Sequence, residues 1–164
     1  MKIAKTTKKP VKPSTKSSGV VAYLYAFILI VMALSQLFAF DKYINHFESF
    51  NLPGGLLFAH VLPSVIVTVE VLAVPFLLRI HLSELMKVIS MMLGWVVGLI
   101  WLKLSLLLVL KSNGVENIGI FGTKVTIAPS WWVVLFSVLL LVMSIWASWG
   151  LWPIKVTRRK VKKS

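Results

Sequence analysis

Four long apolar stretches occupy most of this 164-residue chain and dominate what it can fold into. They run approximately over residues 20–40, 55–78, 88–110 and 131–151. Each approaches or exceeds the roughly 20 residues that a helix needs to cross a hydrocarbon core of about 30 Å. Only helices and closed barrels satisfy their own backbone in lipid, and these stretches lack the alternation of barrel strands. The sequence therefore predicts an all-α membrane protein, a four-transmembrane-helix bundle within residues 20–152.

Positive charge is concentrated in the two tails. Of the 18 Lys and Arg residues, six lie in residues 1–19 and six in residues 153–164. Basic residues beside a span orient it and bind anionic lipid, so we expect anionic lipids at both tails and no nucleic-acid partner. A specific acidic partner such as a ribosome is the alternative. The first tail has almost nothing to bury and is predicted to be disordered over residues 1–19.

The orientation follows from the same charges. Four spans place both tails and the link at residues 79–87 on one side, with six Lys or Arg in each tail and two in the link, fourteen in all. The other two links hold three, namely Lys42, Lys111 and Lys124. Because positive charge is retained inside, the chain is predicted to be a multi-pass plasma-membrane protein with both termini cytoplasmic.

The two outer links are more than polar connections. In the first, Tyr43, Ile44, Phe47 and Phe50 recur at helical spacing, which predicts a short amphipathic helix on the outer membrane surface. The second, residues 111–130, has β-branched residues around glycines and favours a small hairpin or an ordered loop. The inner link is predicted to be a tight helix–helix turn.

Small residues indicate how the spans pack, because lipid tails are as apolar as leucine and helices associate through close approach and polar contacts. Both of the last two spans carry small residues on one face: Ser90, Gly94 and Gly98 in the third, and Ser137, Ser144 and Ser148 in the fourth. We expect these faces to pack within one chain, with homo-oligomerisation as the competing use.

Three polar side chains are candidates for a ligand or proton site. Glu70 lies near the middle of the bilayer, where a carboxylate is costly, so it is expected to face inward and be hydrogen-bonded or neutral. It is either a structural hydrogen bond between helices or a proton or ligand contact. Lys103, about 10 Å below the outer surface, either snorkels outward or pairs with Glu70. His60 lies near the outer start of the second span.

Most catalytic chemistry has no support in the sequence. The chain contains no phosphate-binding loop, dinucleotide fingerprint or serine-hydrolase elbow, and its three histidines form no metal motif. It also has no cysteine, which excludes thiol catalysis and disulfide exchange by its own residues. We therefore predict no catalytic residue and no metal site, and no cofactor is required.

The order of features resembles the DoxX/MauE group of four-span membrane proteins. The resemblance rests on SQLFAFDKYINHFESFNLPGG at residues 35–55 and LPSVIVTVEVLAVPFLL at residues 62–78. Lys42, the aromatic segment around Phe47, and Glu70 match features of that family. In the link before the last span, the family's CGCFG-type motif corresponds here to Ile118, Gly119, Ile120, Phe121 and Gly122, followed by SWW at residues 130–132.

The resemblance implies an accessory protein of the membrane. Methylamine-utilisation members are linked to maturation of a disulfide-rich periplasmic dehydrogenase, and DoxX-like relatives to quinone or thiol redox systems. Ile118 and Ile120 occupy the two cysteine positions, so a thiol role is not expected here. We expect a non-catalytic protein that binds an outer-side redox or maturation partner, or a lipid-soluble ligand.

Two other functions remain open at this point. One is a small transporter or channel subunit that assembles around Glu70 and Lys103, and the other is a quinone-linked oxidoreductase with a bound cofactor. The outer loop is expected to fold over the mouth of the bundle with Phe121 and at least one isoleucine packed against helix ends. Cysteines introduced at positions 118 and 120 are then expected to be reachable from the outer side.

Overall fold

A computed structural model describes residues 16–111 and 115–151, and every regular element in these residues is an α-helix. The elements are α1 (Lys16–Leu37), α2 (Phe40–Glu48), α3 (Gly55–Leu77), α4 (Glu84–Lys111) and α5 (Trp131–Gly150). All except α2 are long and apolar enough to cross a membrane. The predicted all-α bundle of four spans is thereby confirmed. The second outer link forms an ordered loop without strands in its described residues, so the hairpin alternative was wrong.

Two helices extend further than the sequence predicted. α1 begins at Lys16, so residues 16–19 belong to a span and not to a disordered tail. Ser18 and Gly19 are buried there, because small side chains let the helix remain packed on its neighbours. α4 begins at Glu84 and shortens the inner link to residues 78–83. Residues 1–15 and 152–164 lie outside the described residues, and they include the rest of the first predicted basic tail and all of the second, residues 153–164.

The four long helices form a ring. α4 packs against α3 and α5, and α1 also packs against both, so each span has two neighbours. Leu29, Met32 and Leu140 are among the fully buried residues at the centre. Large apolar side chains such as Phe27 and Leu99 remain exposed on the outside. This is the distribution expected for a bundle whose outer surface meets lipid, where apolar exposure carries no hydrophobic penalty.

The short helix α2 packs its apolar face against the protein. Tyr43 and Phe47 are fully buried, as is Phe50 just beyond the helix, and their rings pack edge to face or tilted at centroid distances of 4.8–5.0 Å. Asp41 and Lys42 are exposed. The predicted amphipathic pattern was correct, but its apolar face is covered by α3 and by the second outer link.

Ser90 of α4 forms hydrogen bonds to the backbone of α3 near Pro75. Pro75 lies inside that helix and has no backbone N–H, which disturbs the hydrogen-bond ladder. The Ser90 hydroxyl donates to the Leu72 carbonyl at 2.6 Å and accepts the Phe76 N–H at 3.1 Å. One side chain of α4 thus hydrogen-bonds to two backbone groups of α3 at the turn that contains Pro75, which lipid could not do.

The two glycines of α4 face different neighbours. A Cβ at Gly94 would lie 3.7 Å from the Tyr25 ring and 3.9 Å from Ala73, which are ordinary contacts. A Cβ at Gly98 would lie 2.9 Å from the Leu141 Cα, closer than real side chains come. α4 and α5 therefore approach backbone to backbone at Gly98.

The three serines of α5 are also buried inside the chain. The Ser137 hydroxyl oxygen accepts a hydrogen bond from the Ser105 hydroxyl at 3.3 Å, and that of Ser148 accepts one from the indole N–H of Trp95 at 3.0 Å. Ser144 donates within its own helix. Both small-residue faces predicted from the sequence thus lie at contacts between helices of a single chain.

Candidate functional site

The most unusual side chain of the bundle is the carboxyl group of Glu70, which is fully buried on α3. Its Oε1 atom accepts the indole N–H of Trp101 at 2.9 Å and the amide N–H of Gln36 at 3.3 Å. α1, α3 and α4 therefore meet at one carboxyl oxygen. Both donors are neutral, so hydrogen bonds and not an ion pair hold this group in the core.

Helical spacing explains why these donors reach the same place. Gln36 follows Ala22, Ala26 and Ala33 along one stripe of α1, and small residues let the helix come close. Trp101 lies three residues after Gly98 and continues the small-residue face of α4. Sequence reasoning missed both donors. Gln36 and Trp101 could have been predicted as buried donors, because each lies on the small-residue stripe of its helix.

The same cluster reaches the second outer link. The Nε2 atom of Gln36 also donates to the Ile120 carbonyl at 2.8 Å. A backbone carbonyl of the outer loop is thus connected through one amide to the buried Glu70. The geometry joins the loop to the core of the membrane domain.

Asn117 organises the loop from within. Its Oδ1 accepts the backbone N–H groups of Gly119 and Ile127 at 3.0 and 3.1 Å, and its Nδ2 donates to the Gly122 carbonyl at 3.1 Å. The backbone N–H of Ile118 donates to the Ile127 carbonyl at 2.8 Å. These bonds close residues 117–127 into a compact loop without a sheet.

Gly122 has a positive φ and brings the loop against α1. Its φ is +67°, and a Cβ there would lie 2.6 Å from the Ser35 carbonyl oxygen. Gly119 has φ +80°, and a Cβ there would lie 3.2 Å from the Tyr43 ring. Only glycine combines this backbone conformation with so close an approach.

The apolar residues of the motif point inward. Ile118 and Ile120 are 0% and 1% exposed, and the Phe121 ring lies 6.1 Å from the Phe136 ring of α5. The loop therefore covers the end of the bundle as an ordered cap. The expectation that cysteines at positions 118 and 120 would be reachable is not supported, because both side chains lie inside the protein.

Three buried oxygen atoms of this region have no hydrogen-bond partner within the described residues: Glu70 Oε2, Gln36 Oε1 and the Tyr43 hydroxyl. Burial, and to a smaller extent the charge of Glu70, raises the pKa of Tyr43 well above its usual value. Tyr43 therefore keeps its proton and remains a donor. The cluster therefore contains one buried donor, the Tyr43 hydroxyl, and two buried acceptor oxygens that could still form hydrogen bonds.

The other two candidate residues lie elsewhere. Lys103 is exposed, because it follows Trp101 by two residues and is rotated about 200° around α4. It is not brought to Glu70. His60 is exposed on the outer part of α3 and contacts the Glu48 carboxylate at 2.5 Å. Of the three, only Glu70 belongs to the buried cluster.

The arrangement of acids and histidines does not form a metal centre. In residues 16–111 and 115–151, no group of three or more such side chains is placed to hold a metal ion. The site is a hydrogen-bond network that joins the core of the bundle to the loop that caps it. Searches of protein-family models, of curated proteins and of solved structures found nothing that matches this chain.

Proposed function

We propose that the chain is a non-catalytic accessory protein of the DoxX/MauE type in the plasma membrane. In this proposal both termini are cytoplasmic, as the charge distribution predicts, and the outer cap docks a partner protein. One observation supports it: Gln36 donates to the Ile120 carbonyl of the cap at 2.8 Å and, through the same nitrogen, to Glu70 at 3.3 Å. Because the cap is already ordered by this bond, it loses little conformational freedom when it binds a partner.

The surface of the cap has the composition of a contact site. Val125 and the neighbouring Trp131 and Trp132 are 47%, 63% and 80% exposed. Lys124 lies over the Phe38 ring, with its amine 5.6 Å from the ring centroid. Exposed tryptophans suit both a membrane interface and a protein partner, in which they are frequent anchors.

The family resemblance suggests what kind of partner this is. Members of the family that the chain resembles are linked to redox or maturation systems, and a protein without cysteine can assist such a system by holding a client in place. Ile118 and Ile120 stand where the family has cysteines, and their side chains are buried and apolar. The proposed role is therefore positioning of an outer-side redox or maturation protein, without electron transfer by this chain.

Site-specific photocrosslinking in native membranes tests the proposal. A photoreactive residue at Val125 is expected to give one protein adduct of constant mass, whereas one at lipid-facing Leu139 on α5 gives lipid adducts. The Gln36→Leu variant removes the tie to the loop and should reduce the Val125 adduct several-fold at unchanged expression. Lipid adducts alone at both positions would contradict partner docking.

The transporter alternative receives less support from this arrangement. Lys103 is directed away from Glu70, and the face formed by Ser90, Gly94 and Gly98 is covered by other helices of the same chain. Assembly through that face would require the bundle to open. The quinone-linked alternative would need a bound cofactor, and no residue of the buried cluster identifies one.

A further inference from the structure

A groove opens between α3 and α4 near their outer ends, away from the buried cluster. Its volume is about 250 Å³. Its walls are apolar and include Phe58, Leu62, Leu104 and Leu107, and the one charged residue that lines it is Lys103. A long apolar wall with a single amine matches an amphiphile that has an acidic head group.

Within residues 16–111 and 115–151, no hydrogen bond or ion pair joins the amine of Lys103 to another residue. Lys103 lies eight residues before the end of α4 at Lys111. That separation places it about 12 Å from the helix end along the axis. A charge among apolar groups at this depth is costly unless an anion accompanies it.

A second cation lies close to the outer end of the groove. Lys111 donates to the Asn51 carbonyl at 2.7 Å, and Asn51 directly precedes Leu52, which lines the groove. No acid lines the groove. The nearby Glu48 is engaged by His60. The local charge is therefore positive.

We propose that this groove binds one lipid with an anionic phosphate head group, from the leaflet on the side of the outer loop. The phosphate contacts Lys103, with Lys111 at the rim, and an acyl chain lies along Phe58 and Leu62. Basic pockets between membrane helices recognise such head groups, and lysine is a common phosphate ligand. The groove is smaller than the roughly 300–1,000 Å³ of sites that enclose a whole ligand. It therefore holds the head group and the start of one chain.

This inference does not depend on partner docking at the cap, because the groove and the loop share no residue. The basic tails would also bind anionic lipid, so a measurement of total binding is not sufficient. The experiment must report the position of the lipid on the chain.

The full-length protein is reconstituted in phosphatidylcholine vesicles that contain a trace of photoactivatable phosphatidylglycerol. After irradiation, labelled peptides are mapped by mass spectrometry, and a parallel sample carries photoactivatable phosphatidylcholine. Peptides that contain Phe58, Leu62 or Leu107 are expected to be labelled about five-fold more by the anionic probe, the effect of roughly one basic residue near an anionic lipid. Equal labelling by the two probes would overturn the proposal.

Variants separate charge from ordinary lipid contact. Lys103→Gln should lower anionic labelling of the groove to the phosphatidylcholine level, whereas Lys103→Arg should retain it. Lys42→Gln removes an exposed outer lysine elsewhere and should change nothing. Leu62→Trp fills the groove and should reduce labelling by both probes. Unchanged labelling in a folded Lys103→Gln protein would refute the role of the amine, and loss in Lys103→Arg as well would refute recognition by charge.

A competition arm tests the head group. Excess unlabelled phosphatidylglycerol should displace the probe from the groove, whereas oleate at the same concentration should displace little. Stronger displacement by oleate would overturn the assignment to a phosphate lipid and indicate a fatty-acid carboxylate.

Discussion

Trp101 donates its indole N–H to Glu70 Oε1 across 2.9 Å, between α4 and α3 in the buried centre of the bundle. Gln36 donates to the same oxygen and, through the same nitrogen, to the outer loop. The carboxyl group is therefore the point at which three helices and the cap are coupled.

Replacement of Glu70 distinguishes a structural hydrogen bond from a proton or ligand role. Glu70→Gln should retain folding, because the amide oxygen still accepts from Trp101 and Gln36. Glu70→Leu should lower the free energy of unfolding by about 1 kcal/mol, the scale of hydrogen bonds in membranes. Thr68→Val, at a lipid-facing position of the same helix, is the control with little expected effect. A folded Gln variant that loses the Val125 crosslink would show that Glu70 does more than support structure.

The bond between Trp101 and Glu70 can be measured by a double-mutant cycle. Trp101→Phe removes the indole N–H and keeps an aromatic ring. Combined with Glu70→Leu, it should show a coupling of about 0.6 kcal/mol, with an upper limit near 1.7. Trp95→Phe removes a donor that contacts Ser148 instead, so its coupling to Glu70 should be close to zero. Equal coupling in both cycles would indicate a general packing effect.

The two glycines of α4 should respond differently to alanine. Gly98→Ala should destabilise the protein by about 1–3 kcal/mol, because its Cβ would collide with the Leu141 backbone. Gly94→Ala meets only ordinary contacts and should be neutral or stabilising by up to about 1 kcal/mol, since alanine favours helix. Unfolding in a denaturing detergent provides the measurement. The reverse order would mean that α4 and α5 do not approach at Gly98.

Gly122 and Gly55 form a matched pair for the outer cap. Both have positive φ, but a Cβ at Gly55 meets nothing within 4 Å, whereas one at Gly122 meets the Ser35 carbonyl. Alanine at either position should cost about 1–2 kcal/mol through the backbone. Gly122→Ala should cost about 1–3 kcal/mol more and should speed hydrogen exchange at the Ile118 amide. Similar exchange in both variants would show that the cap is not seated on α1.

Reporter fusions at the two chain ends test orientation. A reporter that functions only in the cytoplasm should be active at both termini, because fourteen Lys and Arg are predicted inside and three outside. A fusion in the loop near Val125 should be inactive. Outer-side activity at either terminus would contradict the orientation on which the proposed function rests.

The sequence was sufficient for the four spans, for the inward position of Glu70 and for the small-residue faces. The reason is physical: a backbone in lipid must close its own hydrogen bonds, a carboxyl group there must avoid the hydrocarbon, and helices meet where side chains are small. These demands act on each helix separately and are visible in its own residues. The apolar pattern marks the ends of a helix less sharply than its middle, and α1 begins four residues before the predicted span.

Only the tertiary structure decided which side chains share the core with Glu70. Gln36 and Trp101 reach it because of the rotation and axial position of α1 and α4, which depend on contacts such as Gly98 with Leu141 and Ser90 with the turn at Pro75. The rotation of α4 also placed Lys103 on the outside, and packing against α3 covered the apolar face of α2. A periodic sequence defines which face of a helix is apolar, but not which neighbour will cover it, because that choice is made by side-chain packing between elements far apart in the chain.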